Sequence, residues 1–191
     1  FTEEALAGFL ESRYVRRSDE YFICYLSSQT ACHMGCKFCW LTATKQTKEM
    51  DSLPIDFLSQ AAKVLKHYQQ DGKKAKYVSF SFMARGEVMK NQHILNNADT
   101  ILYDLGKLAT TFDPDLGVKF NISTIMPKGL NTPLQNIFKV VHPTMYYSLY
   151  SVNPEFKKKW MPQAMDVDQA FEMLKEYQIF TKKKVKITKI T

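Results

Sequence analysis

Two periods of hydrophobicity alternate along this chain. Residues 21–28 (YFICYLSS) are a short apolar run rich in aromatics, which predicts a strand. Residues 54–68 place Ile55, Leu58, Ala61, Ala62 and Leu65 at helical spacing, with Asp51, Ser52 or Pro54 available to start the helix. Residues 76–83 (KYVSFSFM) return to strand alternation. Residues 92–111 carry Ile94, Leu95, Ile101, Leu102, Leu105 and Leu108, a second helix. A strand over 117–125 (GVKFNISTI), a short helix over 132–140 and a strand over 144–151 (TMYYSLYS) follow. A helix over 167–180, with Ala170, Phe171, Met173, Leu174 and Tyr177, and a last strand over 185–190 complete the order. Strands separated by helices long enough to cross over pair in parallel, so the pattern predicts an α/β fold. Five such strands fit a (β/α) barrel, whole or partial, better than a doubly wound open sheet. In both folds the active site lies beyond the C-terminal ends of the strands.

Composition narrows the picture without changing it. The 191 residues are 45% hydrophobic, enough for one domain with a real core. No apolar run approaches membrane-spanning length, and no signal-peptide pattern opens the chain, so a cytoplasmic protein, free of the membrane and monomeric, is expected. The first residue is Phe and the final strand runs to the last residue, which reads as a fragment of something longer. Residues 1–20 read as a lead-in and 21–191 as the core domain. Net charge is +7, with lysine clusters at Lys157–Lys159 and Lys182–Lys184. Such an excess suits an anionic partner such as RNA; a solvated lysine-rich face accounts for it equally.

The chemistry is concentrated in Cys32, Cys36 and Cys39, spaced C-x3-C-x2-C directly after the first predicted strand. Four thiolates would close a zinc site or fill an iron–sulfur cube; three leave one position open. His33 could serve as a fourth ligand in a zinc knuckle, although it adjoins Cys32. Cys24 is the only other cysteine, and with no secretion signal the cluster argues for metal or catalysis in a reducing compartment.

The wider string Ser27-Ser28-Gln29-Thr30-Ala31-Cys32 through Cys39 resembles the S-S-Q-x-G-C-x3-C-x-F-C stretch of the RlmN/Cfr family, radical SAM methyltransferases that methylate an adenine carbon in RNA. Three later segments are similar to that family in order. Residues 82–91 (FMARGEVMKN) resemble G-M-G-E-P-x-x-N, in which Gly86 and Glu87 would face the amino group of S-adenosylmethionine. Ser123, in NIST, takes the place of a hydroxyl that binds the same cofactor. Residues 147–155 (YSLYSVNPE), followed by Pro162, resemble S-L-H-A-P-N-x-E, putting Ser148, Leu149 and Tyr150 at cofactor-contacting positions. The resemblance implies a (β/α)6 barrel with about five strands in this chain. It also implies a [4Fe–4S] cluster on Cys32, Cys36 and Cys39, S-adenosylmethionine on its open iron, a flavodoxin or ferredoxin as electron donor, and ribosomal or transfer RNA as substrate.

The chain departs from the family at telling places. Val88 replaces a Pro, Ala84 a Gly, Arg85 a Met and Tyr150 a His. The family's methyl transfer uses a cysteine near the C-terminus, and no cysteine follows Cys39. It uses another from the first strand, where this chain has Tyr25; Cys24 is one residue away. Neighbouring strand residues face opposite sides, so only a bulge would make Cys24 a catalytic thiol, and otherwise it is a small core residue. A radical SAM enzyme with another reaction, and a non-catalytic barrel with a structural metal, are therefore carried as alternatives.

Overall fold

The computed structural model describes residues 1–5 and 8–189. Its centre is a six-stranded sheet in the order β3-β4-β5-β6-β7-β8. These strands are β3 (Arg13–Ser18), β4 (Tyr21–Tyr25), β5 (Tyr77–Phe82), β6 (Gly117–Thr124), β7 (Thr144–Tyr150) and β8 (Lys186–Lys189). From β4 to β8 every neighbour is parallel; β3 pairs antiparallel with β4 at one edge. The lead-in residues also form a two-stranded antiparallel ribbon, β1 (Thr2–Ala5) with β2 (Gly8–Glu11). The fold is thus α/β with a mostly parallel sheet. The sheet is open, with β3 and β8 as its edges, and the described residues do not close a barrel. The expected end of the last strand, Ile190 and Thr191, lies outside the described residues.

Helices α1 (Trp40–Ala43), α2 (Pro54–Asp71), α3 (Gln92–Phe112), α4 (Leu134–Ile137), α5 (Pro154–Trp160) and α6 (Val167–Thr181) connect the strands. Local chemistry sets their ends. Pro54 opens α2 in the first turn, where its missing N–H costs nothing, and Gly72 ends it in the left-handed region at φ 69°. Asn91, Asn153 and Asp166 cap α3, α5 and α6 by accepting backbone N–H bonds. The buried face of α2 is Phe57, Gln60, Ala61, Val64, Leu65 and Tyr68, whereas Ile55 is exposed. The apolar set read from the sequence was therefore rotated from the face that packs, because Phe57, Val64 and Tyr68 carry more apolar surface than the small residues beside them.

Strand alternation divides the sheet into two unlike faces. Phe22, Cys24, Val78, Phe80, Ile122, Met145, Tyr147 and Leu149 join one core with residues of α2, α3, α4 and α6. The opposite face carries Ser79, Ser81, Asn121, Ser123 and Ser148. There the Asn121 amide nitrogen donates to Ser79 Oγ at 2.6 Å and to Ser81 Oγ at 3.0 Å. One greasy face under helices and one polar, open face direct polar chemistry to a single side of the sheet. Among the described residues no helix is long and apolar enough to cross a membrane.

Candidate functional site

The cysteine loop leaves the C-terminal end of β4 and is pinned on both flanks before it reaches the pocket. Ser27 Oγ accepts from Glu11 N and donates to Glu11 O, and Ser27 N donates to the Gln60 side chain at 2.8 Å. Ser28 N donates to Arg85 O at 2.8 Å, and the Gln29 side-chain oxygen accepts the Glu87 N–H at 2.9 Å. Further on, Cys32 N donates to Gln46 O, while His33 N donates to Glu49 Oε2 at 2.6 Å and the His33 ring meets the same carboxylate. His33 is exposed, held on the outside of the loop by Glu49 and absent from the pocket lining. The Ser-Ser-Gln string is thus a latch that fastens the cysteine loop to the loop after β5.

Gly86 is the tightest point of that latch. Its φ is +91°, and a Cβ there would stand 2.6 Å from Gln29 Cβ and 2.8 Å from both Gln29 N and Ser28 Oγ. The close approach expected toward a cofactor is, in the first place, an approach to the cysteine-loop backbone.

Cys32, Cys36, Cys39, Gly86, Glu87, Ser123, Ser148 and Tyr150 line one pocket beyond the C-terminal ends of β4 to β7. Leu149 does not. It lies between Ser148 and Tyr150 on β7, and alternation turns it into the core, where it is 2% exposed. Only its backbone is left for a cofactor contact. Cys24 is also absent from the pocket. It is fully buried in the main core, and the β4–β5 register runs without a shift from Tyr21 to Tyr25, so no bulge turns it inward. Burial raises its thiol pKa far above the ordinary range. Without a bulge, Cys24 lies where the strand pattern alone would put it, in the core and away from the pocket.

Burial also pushes Cys32 up to about 12 and Cys36 up to about 11, the neighbouring Cys39 adding to the latter. None of the four cysteines forms a disulfide. Burial makes the Cys32 and Cys36 thiols costly to ionise, and a bound group carrying positive charge would lower that cost. Among the described residues no three Cys, His, Asp or Glu side chains converge closely enough for a single metal ion. That arrangement disfavours a one-ion knuckle, in which all ligands meet at one atom. It is compatible with an iron–sulfur cube, which places each thiolate on a different iron.

The remaining walls follow from strand ends. Glu87, 5% exposed, accepts the Met89 N–H on Oε1 and the Ile125 N–H on Oε2, both at 3.1 Å, joining the loops after β5 and β6. Burial raises its pKa, opposed by hydrogen bonds from the Thr124 side chain and the two backbone donors, and the residue lines the pocket. Ser123 Oγ and Ser148 Oγ lie 3.3 Å apart on neighbouring strands. Tyr150 sits in the left-handed region at φ 58°, beside the β7–β8 register shift, and its ring packs 4.6 Å from that of Phe38. Burial raises its hydroxyl pKa, with Cys36 and Cys39 adding to the effect. A tyrosine held in a sparsely populated conformation against the cysteine loop is strain placed at the site.

Two residues that hold this site lie within the segment the sequence singled out, but what they hold was not read from it. Arg85, 9% exposed, donates from Nε to Thr30 O at 2.9 Å and from its guanidinium to the Gln46 side chain. Asn91, fully buried, caps α3 and donates to Ser28 O and Ser52 O. Their polarity amid apolar neighbours was the available signal, but their partners lie 39 to 63 residues away in sequence.

No protein-family model matches the chain. It is 24% identical over 179 residues to the dual-specificity RNA methyltransferase RlmN of Aliarcobacter butzleri, covering 92% of this chain and 46% of that protein. A probable dual-specificity RNA methyltransferase RlmN of Frankia alni is 26% identical over 157 residues, 81% of this chain and 36% of that one. The Sulfurimonas denitrificans RlmN is 24% identical over 180 residues, with shares of 92% and 46%. Among solved structures, archaeal TYW1 overlays with a TM-score of 0.42 at 13% identity, covering 91% of this chain and 56% of that one. The chain is therefore similar over most of its length to RNA methyltransferases described as RlmN, and it spans less than half of theirs.

Proposed function

We propose that the protein is a radical SAM enzyme acting on RNA, with an adenine carbon as the methylated position. The observation that carries the first part is the gathering of Cys32, Cys36 and Cys39 in one pocket with Glu87, Ser123, Ser148 and Tyr150, beyond the C-terminal ends of parallel strands. The similarity to RlmN proteins supports the second part. Cys32, Cys36 and Cys39 would hold a [4Fe–4S] cluster and leave one iron for S-adenosylmethionine. When bound, these groups supply a one-electron cleavage of the sulfonium and a 5′-deoxyadenosyl radical, the electron coming from a donor such as flavodoxin or ferredoxin.

The chain's own residues do the rest. An ammonium needs acceptors, and Glu87 has lone pairs beyond the two that its backbone donors occupy. One of the Ser123 and Ser148 hydroxyls donates to the other, so the pair offers one free donor together with acceptor lone pairs to a carboxylate or a ribose. Phe38 and Tyr150, packed ring to ring, would exclude water from the mouth of the pocket.

Anaerobic reconstitution with iron and sulfide tests the reading. The protein should gain an iron–sulfur absorption band, and with S-adenosylmethionine and a chemical reductant it should release 5′-deoxyadenosine. Cys36→Ala should lose both. A wild-type protein that shows neither sinks the proposal. Given full-length protein, RNA should gain the mass of a methyl group at adenine.

A second reading keeps S-adenosylmethionine cleavage without methyl transfer. It is favoured by the burial of Cys24 and by Tyr25 at the position where the family has its first-strand thiol. Cys24→Ala separates a core role from a chemical one. As a core residue it should cost about 1–2 kcal/mol of stability and leave 5′-deoxyadenosine release unchanged. Loss of release with an intact cluster would restore a chemical role for Cys24.

A further inference from the structure

The two lysine clusters of the sequence end up at opposite ends of the sheet. At the cysteine end, Trp160 O accepts the Lys37 N–H at 2.9 Å and stitches α5 to the cysteine loop. That helix exposes Lys158 and Lys159 and buries Lys157, which is 6% exposed. At the other end the polar face of the sheet carries a second cleft. Tyr21, Tyr77, Lys119, Thr144, Tyr146 and Lys186, each at or near the start of its strand, line it from β4 to β8. It shares no lining residue with the cysteine pocket. Lys119 and Ser123 are four residues apart on β6, about 13 Å along an extended strand. At about 880 Å³ the cleft has room for a nucleotide-sized group rather than for a lone anion.

Its charge is one-sided. Lys183 and Lys184, from the segment after α6, join Lys119 and Lys186, and no Asp or Glu is among the lining residues. Among the described residues none of these four ammoniums has a carboxylate within ion-pair distance. Elsewhere on the surface Lys63, Lys74, Lys76 and Lys175 each have one. Neutral groups hold the cleft lysines instead. Lys186 Nζ donates to the Tyr146 hydroxyl at 2.9 Å, and Lys183 Nζ donates to His142 O. Lys119 Nζ lies 3.6 Å from the centroid of the Tyr77 ring. Gly117, opposite Tyr77 in the β5–β6 register, has no side chain to come between them. Beside that pair, the Tyr21 and Tyr77 rings stack at 5.0 Å with 2° between their planes. Ammoniums that lack a counter-charge, set around aromatic rings, match a ligand with negative phosphates and flat bases. A single strand presents both, whereas a duplex hides its base faces.

We propose that this cleft binds a single-stranded segment of RNA, with phosphates on Lys119, Lys183, Lys184 and Lys186 and a base against the Tyr21–Tyr77 pair. The proposal takes its occupant from the RNA reading above and adds to it a surface and a strandedness. The cleft lies away from the reacting pocket, so it positions RNA and takes no part in bond making.

The test is fluorescence anisotropy of a labelled single-stranded RNA of about 12 nucleotides on the full-length protein, without S-adenosylmethionine or reductant. Lys119→Gln combined with Lys186→Gln should weaken binding roughly 25-fold at about 0.1 M salt. It should also flatten the logarithmic salt slope by about 1.4, the loss of two single-strand phosphate contacts. The two arginine substitutions at the same positions keep the charges and should restore the slope. Lys66→Gln combined with Lys107→Gln removes the same charge from exposed positions on α2 and α3, which cover the other face, and should leave the slope unchanged. Tyr21→Leu should weaken single-strand binding about fivefold or more and leave duplex binding unchanged. Lys119 and Lys186 are exposed. Mass spectrometry should find both acetylated without RNA and protected with it; if the glutamine variants melt early, this footprint decides alone. An unchanged slope in well-folded glutamine variants overturns the proposal and leaves the RNA reading standing. So does shielding of both lysines before RNA is added, which would mean that a protein segment or partner covers the cleft. Equal affinity for duplex and single strand, unmoved by Tyr21→Leu, overturns the single-strand assignment. A wild-type protein that binds no RNA overturns the underlying reading, and this proposal with it.

Discussion

At Gly86, a missing side chain decides whether two loops can meet. A methyl group there would stand 2.6 Å from Gln29 Cβ and 2.8 Å from Gln29 N, at a φ of +91° that L residues rarely adopt. Gly86→Ala should therefore cost roughly 2–3 kcal/mol, lowering Tm by about 4–12 °C for a chain of this size. It should also weaken retention of the proposed cluster, because the shifted neighbour is the cysteine-loop backbone. Thermal melting and the absorption band report the two effects separately; an unchanged melt would mean that the loops part at no cost. Asn91 is the corresponding case for hydrogen bonds. Its side chain accepts from Ile94 N and donates to Ser28 O at 2.7 Å and Ser52 O at 2.9 Å, all in a fully buried position. Asn91→Ala should cost about 2–4 kcal/mol, since it removes a helix cap and leaves two buried carbonyls with fewer donors. Denaturant midpoints would show this, and a loss under 1 kcal/mol would mean that water replaces the amide.

Among elements, α2 and α3 are tied at their far ends by Asp113, the residue that ends α3. It accepts from the Tyr68 hydroxyl and from Lys74 Nζ, both at 2.9 Å. The hydrogen bond from Lys74 holds the Asp113 carboxyl below its usual range, with Tyr68 and the Asp115 backbone helping. A carboxyl whose pKa is depressed on folding binds protons more tightly in the unfolded chain. Its stabilising contribution is therefore present above the ordinary value of 3.8 and is lost as pH falls through the folded value. Asp113→Asn should be least stable relative to wild type near neutral pH, with the gap closing in acid. Denaturation midpoints across that range test the sign, and a gap that widens in acid would contradict it. Because Lys74 is largely exposed, the tie is expected to be modest and sensitive to salt.

Across the whole molecule, the charge of +7 is unevenly placed. Lys119, Lys183, Lys184 and Lys186 line one open cleft near the N-terminal ends of the strands, together with Tyr21 and Tyr77, and no carboxylate lines it. Lys158 and Lys159 lie at the other end of the sheet, on the helix stitched to the cysteine loop. If RNA is the substrate as proposed, basic groups at both ends predict affinity that falls steeply with salt. The fall should be roughly 20- to 40-fold between about 50 and 200 mM for about three phosphate contacts. Filter binding or anisotropy measures it, and salt-independent binding would argue against phosphate contacts.

The repeating order of strands and crossover helices was legible in the chain itself, because burial imposes periods of 2 and 3.6 on any sequence that folds this way. So was the cysteine triplet, because ligands to one group often lie close together in a loop. The edge strand β3 and the ribbon before it were not legible, since Tyr14 and Val15 stand side by side among Arg13, Arg16 and Arg17 and too few apolar residues surround them to show a period of 2. Helix α5 was hidden because its seven residues are too few to show a period. Tertiary structure alone decided which side of β4 holds Cys24, which face of β7 holds Leu149, and whether Lys157 meets water. It also decided that Gly86 exists for Gln29. Each of these depends on a neighbour that is close in space and distant in sequence. Local pattern determines what an element is, whereas long-range packing determines which way its side chains face.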